Sequence, residues 1–413
     1  MTLGNPDVLI VGAGSAGLAA AIALAGAGVS NILVVDRDDA PGGLSRFCHH
    51  PGFGWEYAHR LRTGPGFVRD LLEAANRSSI RIVCNTTMIS IEAGPTVMIV
   101  GPETGYVQLQ PKAVIFATGI REANRGNRCV PGVRPERGIF TTGMLLQLVA
   151  RGDGRLSSFR NLAVIGSEHV SFSALLTARH GGAKVRHMIG SERRILSFPI
   201  MRLLAGVLGA RIYLSTELLE IAGSSERVDG LVVRQGGSTH KIDCDGIVFS
   251  AGWIPETASF SGSSLGLDQA TGGIAIDQAM RTSLPGVFAA GNVLRSVESS
   301  GWAACEGRRA GQLVAKYLSG NLSAVRGATR LRSGKGVSYV VPQYWAGTFD
   351  NPTGVDPLSP SLRAAEDTAG ALTLQSASGS EQIGKSKRHL CTRRIDFDLV
   401  SPLLDSDAVI SII

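Results

Sequence analysis

The feature that most constrains how this chain folds lies in its first forty residues. Val8-Leu9-Ile10-Val11 is an unbroken apolar run of the kind that forms a strand buried on both faces. It leads straight into Gly12-Ala13-Gly14-Ser15-Ala16-Gly17 and then the alanine- and leucine-rich stretch Leu18 to Ala27. Strand, glycine turn and helix are the context that G-x-G-x-x-G spacing requires. Gly12 permits a tight turn, Gly14 lets the backbone approach a pyrophosphate, and Gly17 lets the helix pack closely on the strand. The helix start at Ser15 and Ala16 then offers free N–H groups to negative charge. A second apolar run, Ile32 to Val35, ends in Asp36, 19 residues after Gly17, where a carboxylate takes a ribose hydroxyl. A dinucleotide-binding α/β fold is the expectation.

The same stretch, Val8 to Val29, is 22 mostly apolar residues long, enough to cross a bilayer. Five glycines punctuate it, so no transmembrane segment is expected. No basic leader precedes it, so no signal peptide is expected either. With 413 residues, two domains plus an appendage are expected. The formal net charge of +7 is spread without a long basic run, which argues against a nucleic-acid partner. The six cysteines, at 48, 84, 129, 244, 305 and 391, form no C-x-x-C pair and no metal-ligand spacing. No metal and a reducing, cytoplasmic setting are expected.

Further motifs point to a flavin dinucleotide. Arg37 follows the acid, then Pro41-Gly42-Gly43-Leu44; Ile115-Phe116-Ala117-Thr118-Gly119 is an apolar strand ending in A-T-G; and Thr282 to Val293 reads TSLPGVFAAGNV. These resemble the isoalloxazine loop, the strand end and the late flavin motif of the pyridine nucleotide-disulfide oxidoreductase-like FAD superfamily. There the late motif usually holds Gly-Asp, whereas here it is Gly291-Asn292. Asn still offers a hydrogen bond to a ribityl hydroxyl, but no charge. The segments GGLSRFCHHPGFGWEYAHRLRTGPGF, VIGSEHVSFSALLTARHGGAKV and SAGWIPE resemble, more closely, the flavin subunits of hydrogen cyanide synthase and opine oxidase type amine dehydrogenases. The resemblance covers about residues 7 to 325. It implies two nested Rossmann-like domains, with an FAD domain at 1–120 and 246–325 and an inserted NAD(P)-type domain at 121–245. It also implies FAD as cofactor, with Met88 among the residues around it, and partners such as a second flavin subunit and an iron–sulfur protein.

The inserted half repeats the plan with a damaged turn. Asn161 to Ile165 reads as a strand, followed by Gly166-Ser167-Glu168-His169-Val170-Ser171 and a helix from Phe172 to His180. Glu168 and Ser171 stand where glycines are wanted, and a carboxylate beside a pyrophosphate repels it. The next strand, Lys184 to Ile189, has its acid, Glu192, a little late. Arg193 and Arg194 offer an alternative clasp for a phosphate of NADP or an adenine nucleotide. Binding of NAD(P) here is left open, beside a domain kept as scaffold.

Flavin performs the redox step itself, so the protein must place it, tune it and control access. The helix beginning after Glu298-Ser299-Ser300-Gly301-Trp302 and running to about Leu318 is expected to turn the N–H groups of Ser300 to Ala303 toward the flavin. Cys48, His49 and His50, in a glycine-rich loop expected near the flavin, and Trp302 are weak catalytic candidates, beside plainly structural readings of each. Ser338 to Pro342, Ala371 to Leu374 and Ala408 to Ile413 read as strands, broken by Pro352, Gly354, Pro357 and Pro360. A β-rich C-terminal domain over 326–413 is expected, either facing a partner subunit or packed on the flavin half.

Three functions remain in play. The leading one is the FAD-containing subunit of a dehydrogenase complex that oxidises a small-molecule amino acid or amine and relays electrons to partner subunits. The second is a self-sufficient NAD(P)H-dependent FAD reductase, and the third a flavin-binding scaffold without catalysis.

Overall fold

The structure, a computed structural model, describes residues 3–78, 80–323, 327–346, 355–399, 404 and 407–413. Pro352 and Gly354 lie outside them. The chain divides into two compact units: residues 1–45, 52–120 and 254–413, and residues 46–51 and 121–253.

The first unit is built on a parallel sheet. Its strands run in the order Val287–Ala289, Ala113–Phe116, Val8–Val11, Ile32–Val35 and Ile80–Val83. Every residue of the four strands other than Ile80–Val83 is buried, which is why they read as continuous apolar runs rather than alternating ones. The helix Ser15–Gly26 follows the first strand. The helix Ser300–Leu318 lies against it so closely that a Cβ on Gly307 would stand 1.9 Å from the Ala16 carbonyl oxygen, and one on Gly311 2.4 Å from that of Ala20.

The last part of this unit is all strand. One sheet orders Tyr344–Trp345, Thr329–Ser333, Ala408–Ile412, Leu372–Ser376 and Gly379–Gln382, and a second orders Val337–Val341, Ser361–Ala364 and Ile395–Asp396. Leu331, Leu362, Leu374 and Ile410 centre a core of its own, while Tyr339, Val341 and Leu358 join the core of the parallel sheet. The tail therefore packs on the parallel sheet of the first unit.

The second unit repeats the plan. Ile139–Thr141, Gly246–Phe249, Leu162–Ile165, Val185–Ile189 and Arg211–Tyr213 form a parallel sheet in that order. The helix His169–His180 follows the middle strand. Here the sequence-based boundary is corrected: Gly246–Phe249 pairs with Leu162–Ile165, so the chain returns to the first unit at 254 rather than 246. An apolar strand before an A-G turn suits either sheet, and only its partners decide.

Because no side chain separates the two helices at Gly307, Gly307→Ala forces them apart. Overpacking of this kind costs about 1–3 kcal/mol, and the expected readout is a lower thermal midpoint. Gly26→Ala, where a Cβ would meet nothing within 4 Å, does not lower the midpoint.

Candidate functional site

The three glycines of the first turn are glycines for different reasons. Gly12 has φ +107° and a Cβ there would stand 2.3 Å from the Ala117 carbonyl oxygen; a Cβ on Gly17 would stand 1.8 Å from that of Gly12. The fold itself requires both. Gly14 has an ordinary φ of −76°, and a Cβ there would meet nothing within 4 Å. Nothing in the chain demands glycine at that point, and its lack of a side chain leaves the space in front of the helix start open. No side chain caps the helix that starts at Ser15, and its first turn carries no acid. An uncapped helix start beside open space fits a diphosphate.

Other predicted residues converge on this turn. Asp36 accepts hydrogen bonds from the N–H groups of Ala13, at 2.5 Å, and Asp38, at 2.9 Å. Burial pushes its carboxyl above the usual range, and these two donors partly offset that. The Gly42 N–H donates to the Ala13 carbonyl at 2.8 Å, and a Cβ on Gly43 would stand 3.2 Å from Gly14 Cα. Ser15, Ser45 and Ser300 form a chain of hydroxyls, with oxygen separations of 3.4 Å and 2.7 Å, that joins three distant segments. Thr118 Oγ1 donates to the Glu256 carbonyl at 2.9 Å, the Glu256 N–H donates to the Gly119 carbonyl, and Arg37 pairs with Glu256 at 3.0 Å. A Cβ on Gly291 would stand 2.8 Å from that of Ala16. Leu44 is exposed and Met88 is buried in the core, its side chain packed rather than presented.

Several expectations are corrected. Asn292 turns part of its amide onto its own loop: Nδ2 donates to the Glu298 carbonyl at 3.1 Å and Oδ1 accepts from the Glu298 N–H at 2.9 Å. It closes its own loop. The start of the helix Ser300–Leu318 is covered by a carboxylate that the sequence did not single out. Ser299 Oγ accepts from the Trp302 N–H and donates to Glu56 Oε1 at 2.8 Å, and a Cβ on Gly301 would stand 2.1 Å from Glu56 Oε2. Trp302 is stacked under Arg394, whose guanidinium carbon lies 4.8 Å from the ring centre.

Beneath the late motif lies a buried charge network the sequence did not reveal. Fully buried Arg295 grips Glu306, which also accepts from the Gly291 N–H at 3.2 Å and from Arg394 at 3.1 Å. Arg363 reaches Glu298 at 3.0 Å. Burial alone would raise the Glu306 carboxyl, but Arg295 and Arg394 hold it below the usual range. Along the outer face of the helix runs a cavity of about 710 Å³ lined by Trp302, Arg308, Arg309, Asp356, Arg394 and Asp396.

The loop of Cys48, His49 and His50 belongs to the second unit. His50 Nε2 and Ser173 Oγ are 2.8 Å apart, and the His49 ring stacks on that of His180 at 5.8 Å. Burial, with Glu122 nearby, pushes the Cys48 thiol up to about 12, which speaks against an activated thiol there.

In the second unit the phosphate turn is filled by its own side chains. A Cβ on Gly166, at φ +140°, would stand 2.5 Å from Ser171 Oγ. Glu168 precedes the helix without capping it, and the Leu196 N–H donates to the Ser167 carbonyl at 2.9 Å, drawing the following segment over the turn. His169 Nδ1 lies 2.9 Å from Ser197 Oγ, and its ring 4.6 Å from that of Phe198. Glu192, which spacing placed too late, does arrive: its Oε2 accepts from Ser167 Oγ at 3.0 Å. Arg194 donates to the Ile195 carbonyl at 2.9 Å, and Arg193 is exposed.

Residues 6–307 match the family described as pyridine nucleotide-disulphide oxidoreductase. The chain belongs to this family. It is accordingly a flavin-dependent oxidoreductase, with FAD as cofactor and an NAD(P)-type second domain. Thioredoxin reductase of Listeria monocytogenes is 26% identical over 328 residues, covering 76% of this chain and 93% of that relative. Ferredoxin–NADP reductase of Ignicoccus hospitalis is 25% identical over 325 residues, covering 76% of this chain and 98% of the relative. The fold is shared with the crystal structure of T. acidophilum thioredoxin reductase, at a TM-score of 0.63 and 22% identity, over 76% of this chain and 99% of that one.

Two outcomes check this site. Gly14→Val folds and melts like the wild-type apoprotein but purifies without flavin absorbance. At neutral pH, iodoacetamide alkylates exposed Cys129 and leaves Cys48 unmodified in peptide mass mapping, because a thiol with a raised pKa supplies thiolate only as the pH climbs toward that value.

Proposed function

We propose that this chain is the FAD-containing subunit of a multi-subunit dehydrogenase that oxidises an amino acid or related amine, with electrons leaving the flavin for partner subunits. FAD, when bound, supplies the two-electron chemistry. The open helix start at Gly14 would hold its diphosphate, while Asp36 sits beside the turn and Asn292 and Glu306 lock the late motif.

The observation that carries the reading is the second turn, where Ser171 and Glu168 replace the glycines and residues 195–198 fold over it. A nicotinamide nucleotide has poor access to such a turn, so reducing equivalents come from elsewhere. A dithiol relay is absent, since the sequence has no C-x-x-C pair. One relative is named as a small chain, and as NADPH-dependent: a putative NADPH glutamate synthase small chain of Cereibacter sphaeroides, 26% identical over 356 residues. The motif resemblance to amine dehydrogenase flavin subunits is what supports the substrate class. The cavity beside Trp302, which presents guanidinium and carboxylate groups together, suits a small zwitterion.

One observation favours a self-sufficient NAD(P)H-dependent reductase: Glu192 reaches Ser167 much as Asp36 reaches Ala13. An anaerobic absorbance titration separates the two. The expected result is a flavin band unmoved by stoichiometric NADH or NADPH; bleaching by either nucleotide overturns the subunit reading and supports the reductase.

A further inference from the structure

In the second unit, the helix Ile200–Val207 wears its apolar residues on the outside. Ile200, Leu203 and Val207 share one face at 3.6 residues per turn, and they are 64%, 64% and 75% exposed. Ala205, on the opposite face, is fully buried. Phe198, 56% exposed, extends the patch by a turn beyond Pro199. Its place is fixed, because its ring packs on that of His169 and Ser197 is held by His169 Nδ1.

Along the chain the charge around this patch has one sign, and the acids brought in from other segments are Glu168, bridged to Leu196, and Asp243, beside His187. From Arg193 to Thr216 the sequence contains no Asp or Glu and four arginines, at 193, 194, 202 and 211. Arg202 stands exposed on the shoulder of the helix, and Arg211 is exposed on the strand that follows. Arg186 closes the collar: its guanidinium lies 3.1 Å from where a Cβ on Gly209 would stand. The nearest acid in sequence, Glu192, accepts a hydrogen bond from Ser167 Oγ.

A short apolar face rimmed by arginines suits an interface with apolar depth and an anionic rim. An anionic bilayer surface has both. Four apolar side chains fall well short of the roughly 20–30 residues a side of a stable protein interface. Shallow insertion into headgroups asks for no more than such a patch. We propose that Phe198–Val207 docks this protein on an anionic lipid surface, with Phe198, Ile200, Leu203 and Val207 entering the headgroup–acyl boundary and Arg186, Arg193, Arg202 and Arg211 meeting lipid phosphates. The inference is independent of the substrate and of the second nucleotide site.

Vesicle flotation of the full-length, FAD-loaded protein tests it. Wild type is expected to float with vesicles of equimolar phosphatidylcholine and phosphatidylglycerol, to release in high salt, and to bind vesicles of phosphatidylcholine alone weakly. The double variant Leu203→Glu, Val207→Glu is expected to lower the bound fraction about ten-fold or more, as apolar insertion is lost, with flavin content and melting midpoint unchanged. If the double variant melts early, Arg202→Glu, at an exposed position, carries the same expectation for the anionic vesicles. Wild type that stays unbound overturns the proposal, as does a folded variant that floats like wild type. So does a wild-type dimer that the variant converts to monomer without any change in flotation, which would make the face a contact between two copies of this chain.

Discussion

The backbone of the helix Ser300–Leu318 rests directly on that of Ser15–Gly26, and the geometry of the first unit's site depends on that contact. Gly307 and Gly311 meet the carbonyls of Ala16 and Ala20 with no side chain between them. Contact this close leaves no slack along the seam. It fixes Gly291 against Ala16 and brings Ser300 within a hydrogen bond of Ser45, which in turn approaches Ser15. Three segments separated by up to 285 positions thereby meet at the first phosphate turn.

The contact is braced from below by charge. Arg295 and Glu306 are taken fully out of water, a costly placement for two ions unless each finds several partners. They find them partly in the tail, where Arg394 reaches Glu306 and Arg363 reaches Glu298. Tyr339 adds a bond to the Ser296 carbonyl. The β-rich C-terminal segment is thus tied to the loop that closes the late motif, which gives it a structural role that its own alternating strands do not announce.

The two units show how one plan diverges by a few side chains. Both place a positive-φ glycine after the central strand, at Gly12 and Gly166, and both bring an acid back to the turn, Asp36 and Glu192. In the first, the second glycine of the motif opens onto free space. In the second, a carboxyl-bearing residue stands at that position and Ser171 occupies the close approach that Gly17 allows. Divergence at the turn leaves the sheet intact, because the strands are held by apolar burial and ladder hydrogen bonds that the turn does not contribute to.

The sequence by itself, while not giving the outer strands Ile80–Val83, Ile139–Thr141 and Arg211–Tyr213, determined the inner strands of both parallel sheets, the helices that follow the two turns, the identity of the first turn and the damage to the second. These are local matters: apolar runs, glycine spacing and side-chain size act within a few residues and leave a legible pattern. Tertiary structure alone decided which sheet Gly246–Phe249 joins, that Asn292 bonds Glu298, that Glu56 covers the start of the last long helix, that Cys48 is a half-buried thiol, and that Arg295 is balanced by Glu298 and Glu306, which arginines from the tail also reach. Each of these is a choice of partner among residues far apart in sequence. Hydrogen-bond satisfaction and desolvation are settled by what lies within about 3–4 Å, a neighbourhood that exists only once the chain has folded.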